Sequence, residues 1–150
     1  MRPRPAVLSA VLLVTAVTAL GACGGQATTA NSDDFEGPEK EVAEAVYEFR
    51  DAISRRDEAK VCDAHFTDAL REEIVAKAKP EGRGSTCADA IEESIRTIDA
   101  VDIEIPKDGI VISGDTATVK IQTDLTEGDD PTDTLTLAND RGWRISELLP

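Results

Sequence analysis

Few side chains in this sequence are able to do covalent or acid–base chemistry: three cysteines, Cys23, Cys62 and Cys87, and a single histidine, His65. His65 follows Cys62 by three residues, where an imidazole on the next helical turn would serve a free thiol as general base. Such a pair needs an unbonded thiol, and the export signal described below argues for a disulfide instead. His65 is therefore expected to be a partly exposed helix residue with no catalytic role. Metal binding is not expected either, because only His65 stands near the two thiols and a structural zinc usually takes four ligands. Asp124, Glu127, Asp129, Asp130 and Asp133 crowd acids into ten residues. They lack the alternate spacing and closing Glu of an EF-hand loop, so they are read as a solvated hairpin connection. Trp143 is expected in the core, since burying a large ring is valuable where aromatics are scarce. No catalytic residue, metal or cofactor is assigned.

The amino-terminal segment determines how the thiols are read. Arg2 and Arg4 precede an uncharged run over residues 6–20, the positive-then-apolar order of a secretory signal. That run is shorter than the roughly 20 residues a helix needs to span hydrocarbon, and no cationic stop-transfer segment follows. Gly21, Gly24 and Gly25 end it. At its end stands Leu20-Gly21-Ala22-Cys23, which resembles the lipobox of bacterial lipoproteins: an aliphatic residue, two small residues, then the cysteine. The resemblance implies that residues 1–22 are removed and that the mature chain starts at an acylated Cys23. Each buried methylene adds about 0.8 kcal/mol and two chains suffice for stable anchoring, so a diacylated cysteine would hold the protein to the extracytoplasmic face of the cell membrane. Cys62 and Cys87 would then be the remaining thiols in an oxidising compartment. A disulfide is the expectation for them, two reduced core cysteines the alternative.

Charge limits the partners. The 150 residues carry 30 Asp and Glu against 16 Lys and Arg, a net charge of −14, and no basic run gathers the cations on one face. A nucleic-acid binder is excluded by this balance, because the phosphate backbone would repel it. Loss of residues 1–22 removes Arg2 and Arg4 and leaves 14 cations against 30 acids, a net charge of −16. Anionic headgroups repel such a body, so the domain should stand off the bilayer. Hydrophobic residues at 41% supply one modest core, which Ile, Val, Leu and Ala must fill because aromatics are only 3%.

These features are positioned by three segments. Residues 23–38 are polar apart from Phe35 and read as a disordered tether with a reach on the order of 20 Å. Residues 39–150 form the domain. Val42, Ala45, Val46, Phe49, Ala52 and Ile53 recur at helical spacing, with Tyr47 off the stripe and expected at the surface or a rim. Asp57 is placed to cap a second helix with Ala59, Cys62 and Phe66 on one face, and Thr67 a third with Leu70, Ile74 and Ala78 inward. After a Pro80 to Gly84 loop, Ser85 or Thr86 opens a fourth helix with Cys87, Ile91, Ile95 and Ile98 inward. From residue 101 the period changes to two. Val101, Ile103 and Ile105, then Ile110 and Ile112 beyond a Pro106-Lys107-Asp108-Gly109 kink, mark strand. Further strands carry Ala117, Val119 and Ile121, then Leu135 and Leu137, then Trp143, Ile145 and Leu148, with turns at Gly114-Asp115 and Asn139-Asp140-Arg141-Gly142. Helices followed by four to five antiparallel strands give an α+β fold, the helices covering one sheet face.

The helix over Val42 to Ile53, the Asp57-Glu58-Ala59-Lys60-Val61-Cys62 entry into a second helix and the closing Gly142-Trp143-Arg144-Ile145 strand resemble small bacterial lipoproteins of the nuclear transport factor 2-like superfamily, over about residues 39–150. The resemblance implies a curved sheet folded around helices into a cone with an internal pocket, which Phe49, Phe66 and Trp143 would line. That superfamily includes isomerases, dehydratases and cyclases, but no catalytic motif of theirs can be matched here residue by residue. Acids fall on polar faces and the inward strand positions are aliphatic. The expected function is thus a non-catalytic binding or interaction module of the cell envelope, taking a small apolar ligand or an envelope protein. The alternative is an isomerase-, dehydratase- or cyclase-like enzyme with its site in the cone.

Overall fold

Phe35 is the first departure from expectation: it is 4% exposed and belongs to the core, not to a tether. A computed structural model describes residues 31–97, 102–123 and 132–148. The export signal, Cys23, Ile98, Val101 and the acids at 124, 127, 129 and 130 lie outside them. Asn31 and Asp34 cap a 3-10 turn over Ser32–Asp34 reciprocally. The Asp33 amide donates to Asn31 Oδ1 at 2.9 Å and the Asn31 amide to Asp34 Oδ2 at 3.0 Å. This turn drives Phe35 inward. Burying a Phe is worth roughly 1.5–3 kcal/mol, enough to order a short polar segment around it.

Helix α1 (Gly37–Ser54) starts with Pro38 in its first turn, where a missing amide costs nothing. Val42, Val46, Phe49 and Ala52 are buried as the spacing predicts, with Ala45 and Ile53 packed at the margin. Ala43 and Tyr47 are buried too. Tyr47 was expected at the surface, but the Ser32–Asp34 turn packs on a second side of α1, so the helix is covered over a wider arc than its main stripe.

Asp57 caps α2 (Glu58–Lys60) by accepting from the Lys60 amide at 3.0 Å. The helix does not continue as a regular one. A π-turn over Val61–His65 follows, and its wider winding brings Val61, Cys62 and His65 inward while leaving Ala59 exposed. Phe66 is not helical. It is extended, and forms a parallel bridge with Ile145 at the edge of the sheet. Thr67 caps α3 (Asp68–Ala78) through the Leu70 amide at 3.3 Å. Thr86 and Asp89 cap α4 (Cys87–Thr97) reciprocally, each amide donating to the other side chain at 3.2 Å.

Five antiparallel strands follow: β1 (Ile103–Glu104), β2 (Ile110–Ser113), β3 (Thr116–Thr123), β4 (Thr132–Asn139) and β5 (Trp143–Leu148). Both β1 and β2 pair with one edge of β3, and β4 and β5 continue the sheet on the other side without closing it. Ala117, Val119, Ile121, Leu135, Leu137 and Ile145 form the inner face beneath the helices, while Thr116, Thr118, Lys120 and Gln122 face solvent. The fold is α+β, with helices packed on an antiparallel sheet. Asp133, grouped with the acidic connection in the sequence, lies within β4 opposite Ile121. Leu148 was expected inward and is 46% exposed. A register shift between Thr136 and Leu137 precedes it, and Leu148 pairs with Leu135 at the last step of the ladder, where α3 leaves a shallow groove of about 360 Å³ beside Leu70 and Ile74.

The Pro106 kink divides what would have been one strand. Glu104 pairs with Gln122 and Ile110 with Val119, so residues 105–109 stand opposite only Lys120 and Ile121. The surplus is folded back: the Gly109 amide donates to Pro106 O at 2.7 Å, and the Lys120 amide to Gly109 O at 2.8 Å. A β-carbon on Gly109 would stand 2.8 Å from Pro106 O and 3.1 Å from Lys120 O, both backbone atoms. Gly109→Ala should therefore destabilise the domain by about 1–3 kcal/mol, the usual cost of forced overpacking, read as a lower urea midpoint at unchanged slope. An unchanged midpoint would mean that the kink is free to relax.

Candidate functional site

Cys62 and Cys87 are bonded, with 6.1 Å between their α-carbons, tying the π-turn to the first residue of α4. Around the bond lies a groove of about 890 Å³ between α2, α3 and the start of α4. Small or apolar residues, Ala59, Cys62, Val75, Ala76, Cys87 and Ala88, contribute its apolar lining, and Asp63, Asp68, Arg71, Glu72 and Lys79 its charges.

Arg71 organises the charges. Its Nη1 meets Asp63 Oδ1 at 3.0 Å and its Nη2 pairs with Asp68, so one guanidinium joins α3 to the π-turn. The hydrogen bond and charge of Arg71 hold the Asp68 carboxyl below the usual carboxylate range, and Asp68 in turn raises Arg71. Asp68 stays ionised at neutral pH. With both terminal nitrogens paired to acids, Arg71 is poorly disposed to capture an anion. The sulfurs are committed to each other, so the groove offers shape and a slightly acidic rim without a thiol nucleophile. Sequence reading missed this groove, because four separate segments build it. Its one legible hint was the three-residue spacing of Asp68 and Arg71, which favours a helical ion pair.

His65 is placed differently from the expectation of partial exposure. It is 5% exposed and turned into the core, because the π-turn carries it inward beside Cys62. Its ring meets Phe49 edge-on, with centroids 6.2 Å apart, and Phe49 packs on Phe66 at 5.8 Å. Nε2 has no hydrogen-bond partner among the described residues. Burial pushes the imidazole below its ordinary value. Glu48 acts against that shift, while Lys60 and Arg144 add to it.

Phe49, Phe66 and Trp143, the residues proposed for a cone pocket, do not line the disulfide groove. Phe49 and Phe66 are core residues, and Trp143 packs against the same cluster half-buried, its indole Nε1 enclosed without a partner among the described residues. Tyr47 Oη is likewise enclosed, and it meets the Ile105 backbone without forming a hydrogen bond of full geometry among the described residues. Desolvation raises that phenol, opposed by the Ile105 backbone and by Arg50, whose guanidinium lies 5.0 Å from the ring centre.

Removing the bond by Cys62→Ser with Cys87→Ser should cost roughly 3.5 kcal/mol on the loop-entropy relation for a loop of about 26 residues. Urea unfolding of the oxidised and reduced wild type should differ by a similar amount. Equal midpoints would show that the crosslink adds nothing to the packing of α2 on α4. No protein-family model, no curated protein and no solved structure matches this chain.

Proposed function

We propose that this chain is a lipid-anchored, extracytoplasmic binding or interaction module of the cell envelope, related in architecture to the nuclear transport factor 2-like lipoproteins. The observation that carries this reading is the distribution of its thiols. With Cys62 bonded to Cys87, Cys23 is the one cysteine of the chain outside that bond, and it stands directly after an apolar run and Leu20-Gly21-Ala22. A crosslink joining α4 to the π-turn also suits an oxidising compartment. Binding is favoured over turnover by the aliphatic inner sheet face and by the engagement of Arg71 with Asp63 and Asp68. Helices preceding an open antiparallel sheet, and a kink that bends its first edge, support the architectural kinship.

A second reading, an isomerase-, dehydratase- or cyclase-like enzyme, draws on one observation. His65 Nε2 and Trp143 Nε1 are enclosed polar atoms without partners among the described residues, and such an atom calls for an explanation, a ligand being one. Mass spectrometry of protein purified from its native membranes would report acylation, the crosslink and any copurified small molecule together. In the anchored reading the mature chain starts at a diacylated Cys23, and Cys23→Ala leaves the protein unprocessed and without its lipid. A Cys23→Ala protein that is equally mature and equally membrane-bound would refute the anchor. A copurified molecule that is chemically converted on incubation would favour the enzyme.

A further inference from the structure

His65 lies where three pieces of the fold meet, and each is held to the others lightly. The π-turn over Val61–His65 has wider, less regular hydrogen bonding than an α-helix. Beyond it, Phe66 is attached to the sheet by an isolated bridge to Ile145, made in part by the Thr67 amide donating to Ile145 O at 3.0 Å. Against this turn stand α1, which presents Phe49, and β5. Two further attachments hold the turn on its other side, the Asp63–Arg71 ion pair to α3 and the covalent Cys62–Cys87 bond to α4.

We infer that His65 is an acid-operated latch: when its imidazole takes up a proton, residues 61–66 come away from α1 and β5 while the disulfide keeps them on α4, so that the domain opens locally without unfolding. In the imidazolium both ring nitrogens carry N–H, and the enclosed Nε2 has no acceptor for its own among the described residues, while the ring's aromatic neighbour is Phe49. The charged groups acting on the ring are Glu48 from α1, Lys60 from α2 and Arg144 from β5, two cations against one acid. An imidazolium is therefore both desolvated and poorly countered in the closed form. Water is reached by releasing the turn, since a single bridge, of which the Thr67 amide bond is part, is lost at the sheet edge while the inner face of β3 and β4 stays covered. Val61, Phe66 and the Phe49 ring they pack with in the core are the apolar surface this would uncover.

The direction follows from linkage. A histidine whose closed-state value lies below its open-state value of about 6.5 contributes full stability to the closed form above that pH. This contribution is lost as pH falls toward the closed-state value, and the open-to-closed ratio rises about tenfold per pH unit across the window.

Hydrogen exchange of the intact oxidised domain, corrected for the intrinsic pH dependence of exchange, reads the opening directly. Below pH about 6.5, protection over residues 61–67 should fall roughly tenfold per unit in the wild type while β3 and β4 keep theirs. In His65→Phe, which keeps an aromatic ring against Phe49, protection there should be flat with pH. Because His65 is the only histidine, its ring proton resonance is a second readout that needs no variant, and it should titrate below 6.5 together with the loss of protection. The latch is overturned if protection at 61–67 is independent of pH, if it is lost in step with β3 and β4, if His65→Phe behaves like the wild type, or if the resonance titrates at or above 6.5.

Discussion

Val42, Val46 and Ala52 of α1 are almost wholly out of water, in one cluster with Ala117, Val119, Leu137 and Ile145 from the inner face of the sheet. Every other feature depends on this contact, because an antiparallel sheet with one apolar face is stable only when something covers that face. The side chains involved are small to medium. Each contributes roughly 1.5–3 kcal/mol for a Val, Leu or Ile, against about 1–2 kcal/mol of backbone entropy for every residue ordered. A core with so few aromatics has little margin. That explains why the fold recruits Phe35 from a polar segment and why a crosslink between α4 and the π-turn matters more here than it would in a larger domain.

What was legible in the sequence was whatever repeats locally. The stripe of α1, the Asp57 and Thr67 caps, the onset of α4 near Thr86 and the alternation along β3 and β4 all reflect interactions spanning a few residues, and the structure contains them. The misplaced residues share one cause, a contact with something distant in the chain. Tyr47 lies off the stripe, yet a turn from the preceding segment packs on that side of α1. Phe35 looked isolated because its partners are in other elements. His65 and Phe66 fit a regular helix by periodicity, but bonding of Phe66 to Ile145, some eighty residues on, favours an extended conformation that the helix must unwind to reach. Leu148 is out of step with the alternation of Trp143 and Ile145; the register shift sets it opposite Leu135, and its exposure comes from its place at the last step of the ladder.

The site was less legible than the fold, for a related reason. A groove built by α2, α3 and α4 around a crosslink has no motif, and its lining mixes alanines with charged residues of the kinds found on any exposed helix face, which signal nothing by themselves. The chain's large negative charge is no better guide. Ion pairs at the surface contribute between nothing and about 1 kcal/mol each, so the pairing of Arg71 with Asp63 and Asp68 is better understood as fixing the π-turn against α3 than as holding the domain together. The net charge governs solubility and repulsion from anionic surfaces, while the short-range pattern of apolar residues governs shape.

Enclosed polar atoms without partners cost about 1–3 kcal/mol each, a substantial fraction of what a domain of this size can spare. Their distribution is uneven. The centre of the core, at Val42, Val119 and Leu137, is wholly aliphatic. Tyr47 is near the Ile105 backbone at the kinked sheet edge, His65 is beside the bridge at the opposite edge, and Trp143 opens β5 directly after a turn. Each is at a margin of the core, where few hydrogen bonds must break for water to enter and where local opening is cheapest. A domain arranged in this way keeps a rigid middle and concentrates its unfavourable polar burial along its borders. Conformational change, and any ligand able to satisfy those atoms, would act there first.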